Sequence, residues 1–141
     1  MTLYLDASVI VPLVVVEPRS QVVTAWLDAR GEPIHVPQLA VAEAASAISR
    51  RRRMRELTDE DGERALAMLD NWLADAATVI DHEPADIVEA GRLVRRPLPK
   101  LLTPDAIHLA TCRRLGFRLV TADADLTEVA DLLGIEWVMP E

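Results

Sequence analysis

A chain of 141 residues that is half hydrophobic carries enough apolar surface for one self-sufficient core, which excludes a disordered protein. Its formal charge of −8, from 23 acidic and 15 basic residues, excludes a protein that holds nucleic acid by bulk positive charge, but not one whose carboxylates bind a metal that meets the phosphate. With Cys112 the only cysteine, no intrachain disulfide can form and a reducing cytoplasm is the expected setting, while Val9 to Val16, broken by Pro12 and preceded by no basic segment, fits neither a membrane span nor a secretory signal.

Residues 2 to 5 predict a short strand that ends at Asp6. The apolar segment from Val9 to Val16 then has to turn, and Glu17-Pro18 closes it. Between Ser20 and Ala29, Val22, Val23, Trp26 and Leu27 recur at helical spacing and Gly31 follows as a stop. Residues 34 to 36 predict a second strand. The alanine-rich stretch from Gln38 to Met54, free of Gly and Pro, predicts a helix. Thr58, with Asp61 three residues on, resembles a capping box and opens a helix with Leu66, Leu69, Leu73 and Ala76 on one face and Trp72 beside them.

Residues 78 to 80 predict a third strand, and Pro84 starts a helix running to about Val94. A proline-containing loop covers 95 to 102. Thr103-Pro104-Asp105 then reads as a hydroxyl cap, a first-position proline and a first-turn acid, opening a helix that Gly116 ends. Residues 119 to 121 form a strand. Leu126, Val129, Ala130 and Leu133 mark a helix closed by Gly134, and 135 to 138 form the last strand. Strands alternating with helices over 1–141, with no repeat or linker, predict a single α/β domain built on a largely parallel sheet.

In such a fold ligands bind where strands end and helices begin. Asp6, Asp123 and Asp125 fall at that edge, Asp105 lies in a first helical turn, and Glu43 stands in the alanine-rich helix. Each has a plain alternative. Asp105 could complement a helix dipole, and Asp123 or Asp125 could cap the last helix. Asp6 follows an apolar strand directly, and Glu43 has no basic residue three or four positions away to pair with. Converging carboxylates repel one another and raise each other's pKa, and a divalent cation relieves that. Oxygen donors without Cys/His spacing favour Mg²⁺, or Mn²⁺, over zinc, and Mg²⁺ with bound water suits hydrolysis of a phosphodiester.

Four segments carry a resemblance. Leu5-Asp6-Ala7-Ser8, Ala42-Glu43-Ala44-Ala45, the run from Thr103 to Ala110 and the run from Thr121 to Leu126 together resemble PIN-domain ribonucleases, most closely the VapC-type toxins of bacterial toxin–antitoxin pairs. The likeness covers essentially the whole chain. It implies a three-layer α/β/α sandwich with a mostly parallel five-stranded sheet and an Mg²⁺-dependent endoribonuclease activity. It further implies an acidic quartet of Asp6, Glu43, Asp105 and Asp123, with Asp125 as an additional acid reaching metal through water. Ser8 and Thr121 match hydroxyls that orient carboxylates or water. An RNA substrate, a cognate antitoxin and a homodimer are the partners implied.

The basic residues form two blocks. Arg50 and Arg53 lie in one that either guides RNA or closes a helix end; Arg96 and Lys100 lie in the other, which is better placed to touch substrate. His108, one turn beyond Asp105, is expected to be structural, since the acids need no base from it. Cys112 is expected in the core, and Trp26, Trp72 and Trp137 in the core or a dimer interface. The rival classes are a non-catalytic RNA- or protein-binding module on the same fold, and a receiver-like phosphoacceptor domain. The latter lacks its acidic pair and its strand-end lysine, and a phosphatase would want an acid where Ser8 stands.

Overall fold

The computed structural model describes residues 1–141. Five short strands, β1 (Leu3–Leu5), β2 (Ile34–Pro37), β3 (Thr78–Ile80), β4 (Arg118–Val120) and β5 (Trp137–Val138), form one sheet in the order β3-β2-β1-β4-β5. Every pairing is parallel, with Tyr4 opposite His35 on one side and Leu119 on the other. Seven helices fill the crossovers that parallel strands require: α1 (Ala7–Val14), α2 (Ser20–Asp28), α3 (Gln38–Arg53), α4 (Asp59–Ala76), α5 (Pro84–Val94), α6 (Thr103–Leu115) and α7 (Ala124–Leu132).

Side chains alternate across a strand, so β1 feeds two cores at once. Leu3 and Leu5 join residues of α1 to α4 on one face of the sheet, while Tyr4 joins residues of α5, α6 and α7 on the other. This is the expected α/β/α layering. β2 lies on one side of β1 and β4 on the other, so the chain reverses its direction of travel across the sheet between β1 and β4. A crevice opens at such a point, beyond the carboxyl ends of the strands.

Several boundaries differ from the sequence expectation. Residues 7–14, expected only to turn, form α1. Its Val9, Ile10, Val11, Pro12 and Val14 are all buried, so no amphipathic period was there to be seen, and Pro12 sits inside the helix. Thr103 does not cap α6. Ala106 N–H donates to the Leu102 carbonyl at 3.0 Å, so the first turn closes one residue earlier and Leu102 is the cap. The buried face of α4 runs through Gly62, Ala65, Leu69 and Leu73, with Ala76 exposed. Thr58 does cap it, accepting from Asp61 N–H at 3.0 Å. Trp26 and Trp72 pack against the core, whereas Trp137 is exposed at the sheet edge, its N–H donating to Asp131. Cys112 is fully buried, donates to the Phe117 carbonyl, and has its thiol pushed up to about 12 by burial. No helix is long and apolar enough to cross a membrane.

Candidate active site

Asp6 follows the last residue of β1 and serves as the cap of α1, accepting from Ser8 N–H at 3.0 Å. Its carboxylate is 5% exposed and also accepts the hydroxyls of Ser8 and Thr121, each at 2.5 Å. Thr121 directly follows β4, so Asp6 and its two hydroxyl donors span the β1/β4 crevice. The donors are themselves held: Ala122 N–H donates to Ser8 Oγ at 2.8 Å, and Asp123 N–H donates to Thr121 Oγ1 at 3.1 Å. Burial raises the Asp6 pKa, and the hydrogen bonds from Ser8 and Thr121 work against that rise.

Asp123 caps α7, accepting from Asp125 N–H at 2.9 Å and from Leu126 N–H at 3.4 Å. The plain reading of Asp123 as a cap is therefore true of the fold, and it fixes that carboxylate beside the crevice. Asp105 lies half-buried in the first turn of α6. Burial, then the negative charge of Asp123, with Glu43 and Asp6 adding to it, push its carboxyl up to about 6; His108 works against them. Asp105 thus senses all three other acids, which arrive on α3, β1 and the β4–α7 junction. Asp125 is exposed, with Lys100 Nζ at 4.0 Å.

Glu43 stands on α3 and is not unpartnered. Its Oε1 lies 2.5 Å from His108 Nε2, a pairing across 65 residues that helical spacing alone could not reveal. His108 is buried, as a structural role requires, and its Nδ1 is 2.8 Å from the Tyr4 hydroxyl. Tyr4 was not picked out in the sequence; a tyrosine inside an apolar strand carries no signal beyond its phenol.

No three His, Cys, Asp or Glu side chains stand close enough together to hold a metal ion as they are. Mg²⁺ asks for less: it keeps several waters and is bound through one or two carboxylates. An all-oxygen donor set, with one carboxyl held up near 6 by burial and by its acidic neighbours, suits Mg²⁺ or Mn²⁺ better than zinc.

The arginines divide. Arg51 pairs with Glu17, and Arg52 with Asp59 and Glu63, so those two brace the end of α3. Arg53 lines an open pocket with Ser49, Arg52, Arg55 and Asp59. At 1.5 Å rise per residue, Arg50 and Arg53 sit roughly 10 and 15 Å along the helix from Glu43, outside the acidic cluster. Arg96 is exposed, and of the four only Lys100 reaches one of the acids. A buried ion pair escaped the sequence altogether. Asp86, 2% exposed, accepts from Arg114 Nε at 2.7 Å and from its second nitrogen at 2.9 Å, tying α5 to α6.

Comparison with known proteins bears on this site. A family model described as PIN domain matches residues 3–132. Ribonuclease VapC46 of Mycobacterium tuberculosis is 36% identical, the match covering 98% of this chain and 97% of that one. Among solved structures, VapC20 of Mycobacterium tuberculosis, described as a sarcin-ricin loop cleaving toxin, superposes with a TM-score of 0.74 at 16% identity, over 90% of this chain and 94% of that one. VapBC2 of Rickettsia felis, bound to a fragment of promoter DNA, superposes at 0.73 and 16% identity over the whole of both chains. At that identity the two structures speak for the fold.

Proposed function

The chain belongs to the PIN-domain family, and from that premise we propose that it is a divalent-metal-dependent endoribonuclease acting as the toxin of a toxin–antitoxin pair. The observation that carries the chemistry is the buried Asp6, with both oxygens held by Ser8 and Thr121 at the β1/β4 edge, Thr121 standing two residues before the capping Asp123. Asp6 acts with Asp105, whose carboxyl is pushed up to about 6 by burial and by the charges of Asp123, Glu43 and Asp6. Four acids brought from four elements, three of which raise the proton affinity of Asp105, form a site for a cation.

Asp6, Glu43, Asp105 and Asp123 would hold the metal, Mg²⁺ or Mn²⁺, directly or through its retained waters, with Asp125 contributing through water. When bound, Mg²⁺ lowers the pKa of a coordinated water and offsets charge on phosphate oxygens. The chain's own residues do the rest. Ser8 and Thr121 fix both oxygens of Asp6, and the α7 N-terminus fixes Asp123. Lys100, beside Asp125 at the rim, meets the RNA backbone. A cognate antitoxin covering the acids, and a homodimer, complete the assembly; the VapBC complex among the structural neighbours supports the first.

The test is cleavage of end-labelled cellular RNA by purified chain in Mg²⁺, in EDTA and with Asp6→Asn. Discrete cuts in Mg²⁺ that vanish in both controls are expected. A folded, metal-binding protein that makes no cuts would instead favour a non-catalytic binding role.

A further inference from the structure

Glu43 has three side-chain torsions and stands among Ala40, Ala44 and Ala47, which are too small to hold it by packing. Its Oε1 is held instead by His108 Nε2 at 2.5 Å. That imidazole is 1% exposed and its other nitrogen lies 2.8 Å from the hydroxyl of the fully buried Tyr4.

Hydrogen-bond bookkeeping fixes the direction of this chain of contacts. A carboxylate only accepts, so Nε2 bears the proton and donates to Glu43. The Tyr4 hydroxyl has no second partner, so its proton goes to Nδ1, which accepts. The ring is also packed edge-on between Tyr4, at 5.7 Å between centroids, and His82, at 6.3 Å. Tyr4 and His108 belong to the layer of α5, α6 and α7, and Glu43 to a helix of the opposite layer, so the contacts cross the carboxyl edge of the sheet.

We propose that His108, its tautomer and ring orientation set by Tyr4, is the positioning residue that holds the Glu43 carboxylate in place for the divalent metal. The proposal rests on the metal-binding role given to Glu43 above. Partners of this kind, standing behind a ligand, set metal affinity as well as geometry.

The test reads Mn²⁺ affinity by electron paramagnetic resonance on the RNA-free chain. His108→Gln places an amide nitrogen near the Nε2 position and keeps a donor for Glu43; His108→Asn places it near Nδ1 and cannot reach. His108→Asn is expected to weaken Mn²⁺ binding by about 10-fold or more and His108→Gln by no more than about 3-fold. In a Glu43→Gln background His108→Asn should cause no further loss. Equal losses in the two His108 variants, or an undiminished loss in the Glu43→Gln background, would overturn the proposal while leaving the metal site standing. Unchanged Mn²⁺ binding in Glu43→Gln alone would overturn the metal role of Glu43 and this proposal with it. Should His108→Asn fail to fold, Tyr4→Phe removes one oxygen and keeps the ring. Unchanged Mn²⁺ affinity there, with Glu43→Gln weakened, would also overturn the proposal.

Discussion

Thr121 donates its hydroxyl to Asp6 Oδ2 at 2.5 Å from the end of β4, while Asp6 stands at the end of the neighbouring β1. The contact sits where the sheet changes direction, on the one acid of the cluster that is almost wholly buried. Thr121→Val keeps the shape and removes the donor. The Asp6 pKa, already raised by burial, should rise further, and stability should fall by about 1–2 kcal/mol. Carboxyl NMR titration and urea denaturation check both; an Asp6 titration identical in variant and wild type would refute the role given to Thr121.

Asp105 makes a second expectation, with the opposite sign for stability. Its carboxyl is raised from 3.8 to about 6 in the folded chain, so the folded state binds the proton more tightly than the unfolded state does. Metal-free stability therefore falls as pH climbs from about 4 to about 6, and the loss is complete above that. In EDTA at pH 7, Asp105→Asn should melt higher than wild type. Discounted for a partly solvated carboxyl, the gain is on the order of 1 kcal/mol, or roughly 3 °C. Mg²⁺ should stabilise wild type more than the variant; thermal shift in both buffers measures this.

Asp86 works in the other direction. Hydrogen bonding to Arg114 holds its carboxyl down at about 2, so it contributes stability above the ordinary carboxylate range, and that contribution is lost as pH falls from about 4 to 2. Asp86→Ala leaves Arg114 with only its more exposed pairing to Glu83 at 3.3 Å and should cost about 2–3 kcal/mol, towards the low end for a broken buried pair because Arg114 keeps that partner and some solvent. Urea denaturation at pH 7 and pH 3 should show the variant's deficit shrinking at the lower pH.

His82 supplies a fourth. Its Nε2 accepts from Leu39 N–H at 3.4 Å, capping the first turn of α3, whose cap residue is Pro37; its Nδ1 lies 2.7 Å from Thr111 Oγ1, which donates to the Ile107 carbonyl. Only a neutral imidazole can accept at Nε2. Burial lowers the His82 pKa, so its contribution is whole above about 6.5 and is lost as pH falls through the lowered value. His82→Gln should flatten the pH dependence of Tm between pH 7 and 5, and a slope unchanged from wild type would count against the cap.

The acids were legible because each sits where local chemistry announces it: Asp6 after an apolar strand, Asp105 behind Pro104, Asp123 ahead of a helical period. Pairings across the chain were not. Nothing near Glu43 in sequence names His108, and nothing near Asp86 names Arg114 28 residues on. α1 was missed for a related reason, since a short, mostly buried helix whose only polar residue is Ser8 has no polar face to give it a period. The cap of α6 was placed one residue late because Thr103 is a good capping residue and the backbone closed on Leu102 instead.

The contacts that build the site join residues 65, 104 and 115 positions apart. A nascent chain holding Asp6, Glu43 and even Asp105 still lacks the hydroxyl and the capped carboxylate that follow β4. The proposed nuclease is therefore inert on the ribosome that makes it until Thr121 and Asp123 have cleared the exit tunnel. Its own translation machinery, rich in RNA, is spared by topology until the strand that carries those residues has joined the sheet.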